Sequence, residues 1–119
     1  FANFNIFPAE IVALDPSRNT SLLRLPDGFE IQNEYYPGHL KGDHVRLLAT
    51  RRQLDAFPAK NNHRALNQLP VRLLRTIDLA DAIRLEFQGD LTVEIPRGDI
   101  DRNNENWLIE FPKRGLRVI

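Results

Sequence analysis

The chain has 119 residues, 42% apolar and 27% charged, enough for one compact globular domain or two small ones sharing a core. Sixteen Lys and Arg balance sixteen Asp and Glu, so no net field draws the chain to nucleic acid or to an anionic membrane. Cysteine is absent, which excludes disulfides, thiolate metal sites and cysteine nucleophiles.

No apolar run approaches the roughly 18 residues that a membrane-crossing helix needs. The chain opens on Phe1 and contains no methionine, so it is expected to be part of something longer. In chain order, Pro8 begins Pro-Ala-Glu-Ile-Val-Ala-Leu, a first strand. Ser21–Leu25 and Phe29–Gln32 flank Pro26-Asp27-Gly28 as a tight hairpin. Tyr35–Lys41 is expected to hold one helical turn. His44–Thr50 alternates Val45, Leu47 and Ala49 against a polar set, the signature of a half-buried strand. A polar stretch from about Ala56 to Gln68 follows. Leu69–Ala82 reads as a strand ending in a turn around Asp78–Asp81, although Leu73, Leu74 and Ile77 also have semi-helical spacing. Ala82–Phe87 and Leu91–Ile95 alternate around Gln88-Gly89-Asp90 as a second hairpin. A helical turn is expected in Gly98–Asn104, and Trp107–Phe111 closes as another alternating strand.

These elements repeat. The offset that carries Pro8 onto Pro70, applied without gaps, pairs Ile11 with Leu73, Leu23 with Leu85, Leu25 with Phe87, Phe29 with Leu91 and Ile31 with Val93. It continues through Val45 with Trp107, Leu47 with Ile109 and Leu54 with Leu116. Each half reads strand, strand, hairpin strand, connection, strand, short final strand. That order matches a small Greek-key barrel of oligonucleotide/oligosaccharide-binding (OB) type. The expected fold is all-β: two OB-like barrels or half-barrels from an internal repeat, packed together. The division is residues 1–57, a connector 58–68, and residues 69–119. Whether the halves exchange terminal strands is left open by the sequence.

The search for chemistry gives little. Neither a P-loop nor a Gly-x-Gly-x-x-Gly turn is present. His39, His44 and His63 lack metal-ligand spacing and read as surface residues. No elbow surrounds Ser17 or Ser21. Asp78/Asp81 and Asp99/Asp101 fall in turns, where Asp supports the backbone. No catalytic or metal residue is therefore assigned, and the fragment is read as non-enzymatic. Arg51-Arg52 and Lys113-Arg114 stand at equivalent positions of the two halves, and Ser17-Arg18-Asn19 sits in the first loop. These seven residues are the candidate ligand-binding set, suited to a small anion or to a partner's acidic loop. Trp107, Phe87 and Phe111 point inward by alternation, so they read as core and not as base-stacking platforms, which weakens the nucleic-acid-binding reading.

The chain resembles a known family at several of these places. Asn5-Ile6-Phe7 before Pro8 is similar to the start of the C-terminal TOBE region (transport-associated OB-type) of ABC importer ATPases, with Asn3 where the family has glycine. Gly38-x-Leu40-x-Gly42-Asp43-x-Val45 resembles that family's Gly-Asp-x-Val stretch, followed here by Thr50-Arg51-Arg52-Gln53 in place of Arg-Pro-Glu. Asp90–Arg97 and Trp107–Pro112 resemble the second half. Ser17-Arg18-Asn19 is similar to the Ser-x-Arg-Asn of molybdate-binding relatives. The resemblance implies a non-catalytic accessory domain of an importer ATPase that supports contact with a second ATPase subunit in a homodimer and, in some members, senses transported substrate. The membrane subunits would be partners through the parent protein. The location would be cytoplasmic, peripheral to the inner face of the membrane. ATP and Mg would belong to the parent, with no cofactor in this fragment. The substrate (sulfate, molybdate, iron, a polyamine or a sugar) is left open. Two alternatives stand beside this reading: a small-oxyanion-binding module, and a nucleic-acid-binding OB-like barrel, against which zero net charge argues.

Overall fold

The computed structural model describes residues 3–60 and 65–119. His63, read above as a surface residue, lies outside them. The described chain forms ten strands: β1 (Phe4–Asp15), β2 (Thr20–Arg24), β3 (Glu30–Asn33), β4 (His44–Thr50), β5 (Asp55–Pro58), β6 (Gln68–Asp78), β7 (Ala82–Phe87), β8 (Leu91–Pro96), β9 (Asn106–Glu110) and β10 (Arg117–Val118). Among the described residues the one helical element is a 3-10 turn, Pro16–Arg18. The competing helix over Leu69–Ala82 is a strand, β6, because its apolar residues are needed at period two against β7 and β9. The helical turns expected in Tyr35–Lys41 and Gly98–Asn104 are not formed. Positive φ at Gly38 breaks the first. In the second, Asp101 and Asn104 accept main-chain N–H bonds two residues on, which competes with helical bonding.

The strands form two antiparallel five-stranded sheets, ordered β10-β4-β1-β2-β3 and β5-β9-β6-β7-β8. Each sheet takes its short edge strand from the other half of the chain. In the second sheet Asp55 of β5 lies opposite Glu110, while in the first Arg117 of β10 lies opposite Leu48. The Pro8-to-Pro70 offset carries Asp55 onto Arg117 and Leu48 onto Glu110, so the exchange is reciprocal and in register. The chain crosses between barrels at Arg51–Gln53 and at Lys113–Gly115.

The repeat holds in detail for the other strands too. Ile6 lies opposite Leu48 as Gln68 lies opposite Glu110, Phe7 opposite Leu47 as Leu69 opposite Ile109, and Ala9 opposite Val45 as Val71 opposite Trp107. A β-bulge falls between Ile11 and Ala13 in β1 and between Leu73 and Arg75 in β6. The hairpins depart from the gap-free alignment. Ile11 lies opposite Leu23, but Leu73 lies opposite Phe87, beyond the Leu85 that the offset assigns. Ile31, opposite Leu23, then matches Leu91, opposite Phe87, ahead of the Val93 that the offset assigns. The second hairpin is shorter at its tip, and its flanking connections are longer. A slip of two leaves every side chain on its face, which is why the apolar pattern alone aligned Leu23 with Leu85.

One apolar cluster runs through both barrels, with Ile11, Leu23, Leu47, Leu85, Val93 and Ile109 fully buried. Phe87 and Trp107 pack at 6.2 Å between ring centroids, and Phe7 meets Phe111 edge-on at 5.0 Å. The inward aromatics expected from alternation are thus in the core, at about 1–2% exposure.

Two buried asparagines, Asn5 and Asn67, are related by the same offset and bind the barrels to each other. The Asn5 amide donates to the Thr92 carbonyl at 2.8 Å and its Oδ1 accepts from the Thr92 N–H at 2.8 Å. Asn67 does the same with Gln32, accepting at 2.6 Å and donating at 3.0 Å. Each side chain supplies one donor and one acceptor, as a strand residue would, to the edge strand of the opposite barrel. Gln32 lies opposite Leu22 one place beyond Ile31, and Thr92 opposite Glu86 one place beyond Leu91, so these contacts independently fix the corrected alignment of the hairpins.

Candidate functional site

The two crossovers are where the candidate residues meet, and they differ in charge pairing. At the first, Arg51 and Arg52 leave β4 and reach the outer face of the second barrel. Arg52 Nε lies 3.2 Å from Glu94 Oε1, and its Nη2 lies 3.1 Å from Asp81 Oδ2. Arg51 Nη1 is 3.7 Å and Arg84 Nε 3.1 Å from Glu94 Oε2. Three guanidinium groups thus converge on one carboxylate whose side chain is only 10% exposed. The Arg51 carbonyl also accepts from the Glu94 N–H at 2.9 Å, tying the crossover to β8.

At the second crossover Lys113 and Arg114 occupy the equivalent place. Both are exposed, and neither takes part in an ion pair among the described residues. Glu34 stands beyond β3 where the corrected alignment puts the counterpart of Glu94, but its Oε1 accepts from the Gly115 N–H at 3.0 Å. The next residue, Tyr35, donates its N–H to Asn19 Oδ1 at 3.2 Å. The Ser17–Asn19 turn and the Lys113–Gly115 turn therefore flank the same short segment, Glu34-Tyr35. The two crossovers also touch directly, through Gln53 Nε2 donating to the Gly115 carbonyl at 2.8 Å.

The seven sequence-selected residues thus fall into two groups. Arg51 and Arg52 form one rim, already neutralised by carboxylates. Ser17, Arg18, Asn19, Lys113 and Arg114 border the other. Within that second group, Ser17 donates its hydroxyl to Asp15 Oδ1 at 2.6 Å, and Arg18 sits 3.7 Å from the same carboxylate. Asn19 holds the turn, with φ of 53° and its N–H bonded to Pro16. Lys113 and Arg114 are therefore the freest cations of the set.

Sequence reasoning passed over Glu94, Arg84 and Glu34. The alternation of β7 and β8 placed Arg84 and Glu94 on one outward face, and they are direct cross-strand neighbours. That signal could have paired them. The turn carboxylates Asp78 and Asp81 are both claimed by arginines, Asp78 by Arg102 at 2.7 Å. His39 lies 3.9 Å from Asp43, and no group of three or more metal-ligating side chains occurs among the described residues. A groove of about 510 Å³ lies between the hairpin tips, lined by Ile6, Pro8, Leu25, Pro70 and Leu91 among others. It includes none of the seven candidates, and its lining is chiefly apolar.

The paired carboxylates predict an acid transition. Burial pushes Glu94 up, but the Arg84 and Arg52 guanidinium groups outweigh it and hold the carboxyl below its usual 4.5. Bonds from Arg75 to Glu86, from Arg102 to Asp78 and from Ser17 to Asp15 lower those groups too. A depressed carboxyl stabilises the fold above its unfolded pKa and loses that contribution as pH falls through the folded one. Melting temperature is accordingly expected to vary little with carboxylate titration above about pH 5 and to fall steadily from about pH 4.5 downward. Glu94→Gln should flatten part of that fall. An unchanged acid slope in the variant would show that the cluster does not couple to folding.

Two five-stranded antiparallel barrels from one repeat, with exchanged last strands, define a paired OB-type fold. The cytoplasmic molybdate-binding protein ModG, crystallised with molybdate bound, has a similar fold: TM-score 0.70, over 96% of this chain and 94% of ModG, at 11% identity. At that identity the likeness is one of fold. No protein-family model matches the sequence, and no curated protein matches it. No helix among the described residues is long and apolar enough to cross a membrane.

Proposed function

We propose that the chain is a small-oxyanion-binding module whose anion is held at the second crossover by Lys113 and Arg114, with Arg18 adding charge from the facing turn. One observation carries this reading. The equivalent pair, Arg51-Arg52, grips a carboxylate at 3.2 to 3.7 Å, so this position of the fold suits a bound anionic oxygen, while Lys113 and Arg114 make no ion pair among the described residues. The likeness to a molybdate-binding protein supports the same class of ligand, a compact tetrahedral dianion. Hydrogen bonds from Lys and Arg to such an anion are charge-assisted, and so about twice as strong as bonds between neutral groups.

Titration calorimetry and thermal melting with molybdate, tungstate and sulfate test it. Heat and a rise in melting temperature are expected for at least one of them, because a ligand selective for the native state stabilises it. Lys113→Ala together with Arg114→Ala should weaken that binding at least about 10-fold, the effect of losing about 1.4 kcal/mol. Absence of heat and of stabilisation with all three anions would remove the proposal.

The accessory role beside an importer ATPase is a second reading. It rests on the sequence resemblance at Asn5–Pro8 and Gly42-Asp43. Those residues have structural duties here: Asn5 bonds Thr92, and Gly42 turns at φ of 94° while its N–H bonds the Ile11 carbonyl at 2.7 Å. They therefore favour the barrel more than the ATPase. A P-loop encoded in frame upstream of Phe1 would support the accessory role. An upstream frame without one would exclude it.

A further inference from the structure

The basic pair that grips carboxylates at the first crossover has its counterpart, Lys113-Arg114, at the second, and the first copy is filled from within. We infer that Glu94 and Asp81 are resident occupants of a second anion site, holding it shut, so that the chain takes one oxyanion where its repeat would allow two. The inference rests on the reading of Lys113 and Arg114 given above.

The geometry at the first crossover is that of an anion cage. Guanidinium groups of Arg51, Arg52 and Arg84 lie 3.7, 3.2 and 3.1 Å from the Glu94 carboxylate, Arg52 at Oε1 and the other two at Oε2. Asp81 adds a second carboxylate, with both its oxygens within 3.3 Å of Arg52 Nη2. Three positive groups thus face two negative ones. Glu94 is fixed in β8, so a free anion must compete with a tethered carboxylate at high effective concentration. The opposite rim shows what changes when this lock is missing. Glu34, at the place of Glu94, turns to the Gly115 N–H. The cross-strand arginine has no counterpart either, because the register that matches Leu23 with Phe87 puts Thr20 where Arg84 stands. Paired acidic and basic substitutions at one crossover thus distinguish a closed copy from an open one.

The test is calorimetric stoichiometry with tungstate in the native chain and in an Asp81→Asn/Glu94→Gln variant. One anion per native chain and two per variant chain is the expected result. Adding Arg52→Ala to the variant should return the count to one. One anion in the native chain and one in the variant overturns the inference and leaves the proposed function standing. A native chain that binds two overturns it as well, and so does a second anion that survives Arg52→Ala. A native chain that binds none, with a variant that binds one, upholds the closed cage and removes the Lys113–Arg114 site. Should repulsion among three arginines prevent the variant from folding, Arg84→Ala is added to relieve it. The Arg51–Arg52 pair is kept, and the same counts decide.

Discussion

Asn67→Asp is expected to lower stability by about 3 kcal/mol at neutral pH, and to regain much of that loss in acid. The change alters one atom of a side chain that is 5% exposed. Asn67 Nδ2 donates to the Gln32 and Phe111 carbonyls at 3.0 and 3.2 Å, with the Pro112 carbonyl at 3.5 Å. A carboxylate oxygen there faces three carbonyls with no proton to give. Its pKa must rise in the folded state, because only the protonated acid can donate. The penalty is therefore present above the unfolded pKa of about 3.9 and relieved below it. Urea midpoints of native chain and variant, compared at each pH from 7 to 4, read the difference directly. A constant gap across that range would mean the amide proton does not matter. Asn5→Asp should behave alike, since Asn5 makes the same pair of bonds to Thr92.

Deletion of residues 116–119 is expected to cost about 4 kcal/mol or more, and to loosen the first barrel before the second. Leu116 is 2% exposed, and truncating a buried leucine alone costs about 2–5 kcal/mol. Its carbonyl lies 3.0 Å from the Tyr36 hydroxyl, a bond from the first half of the chain. Burial pushes that phenol's pKa well above its ordinary value, so the group stays a neutral donor. The same deletion removes the exchange of bonds between Ile119 and Arg46, at 2.8 and 3.0 Å, and exposes β4 as an edge. Hydrogen exchange should therefore accelerate at the Arg46 amide, while β6 and β9 keep their protection. Loss of protection confined to the second barrel would contradict the exchange of strands.

The legible part of this fold was its alternation. Val45, Leu47 and Ala49 against Arg46, or Ile83 and Leu85 against Arg84, fix strands and their buried faces with a period that admits little else. Three features escaped it. The hairpin slip of two keeps faces unchanged, so Leu23 looks as well matched to Leu85 as to Phe87. The strand exchange is set by how far Arg51–Gln53 and Lys113–Gly115 carry the chain, which no local pattern encodes. The state of the site depends on side chains distant in sequence. Arg51-Arg52 and Lys113-Arg114 look alike as dipeptides, and Glu94, far along the chain from the first pair, makes them different. One signal was available but unused: Asn5 and Asn67 obey the same offset as Pro8 and Pro70, each standing at the same short distance ahead of its proline. A polar residue kept at equivalent positions of an otherwise apolar repeat points to a bond that both copies need.

The central claim is where the anion sits. Crystals of the native chain grown with tungstate would locate it by the anomalous scattering of the metal. A single strong peak per chain is predicted within hydrogen-bonding reach of the Lys113 and Arg114 side chains, facing the Ser17–Asn19 turn, with no peak beside Arg51, Arg52 and Arg84. A peak in the apolar groove between the hairpin tips, at the Arg51–Arg52 cluster, or nowhere on the chain would contradict it.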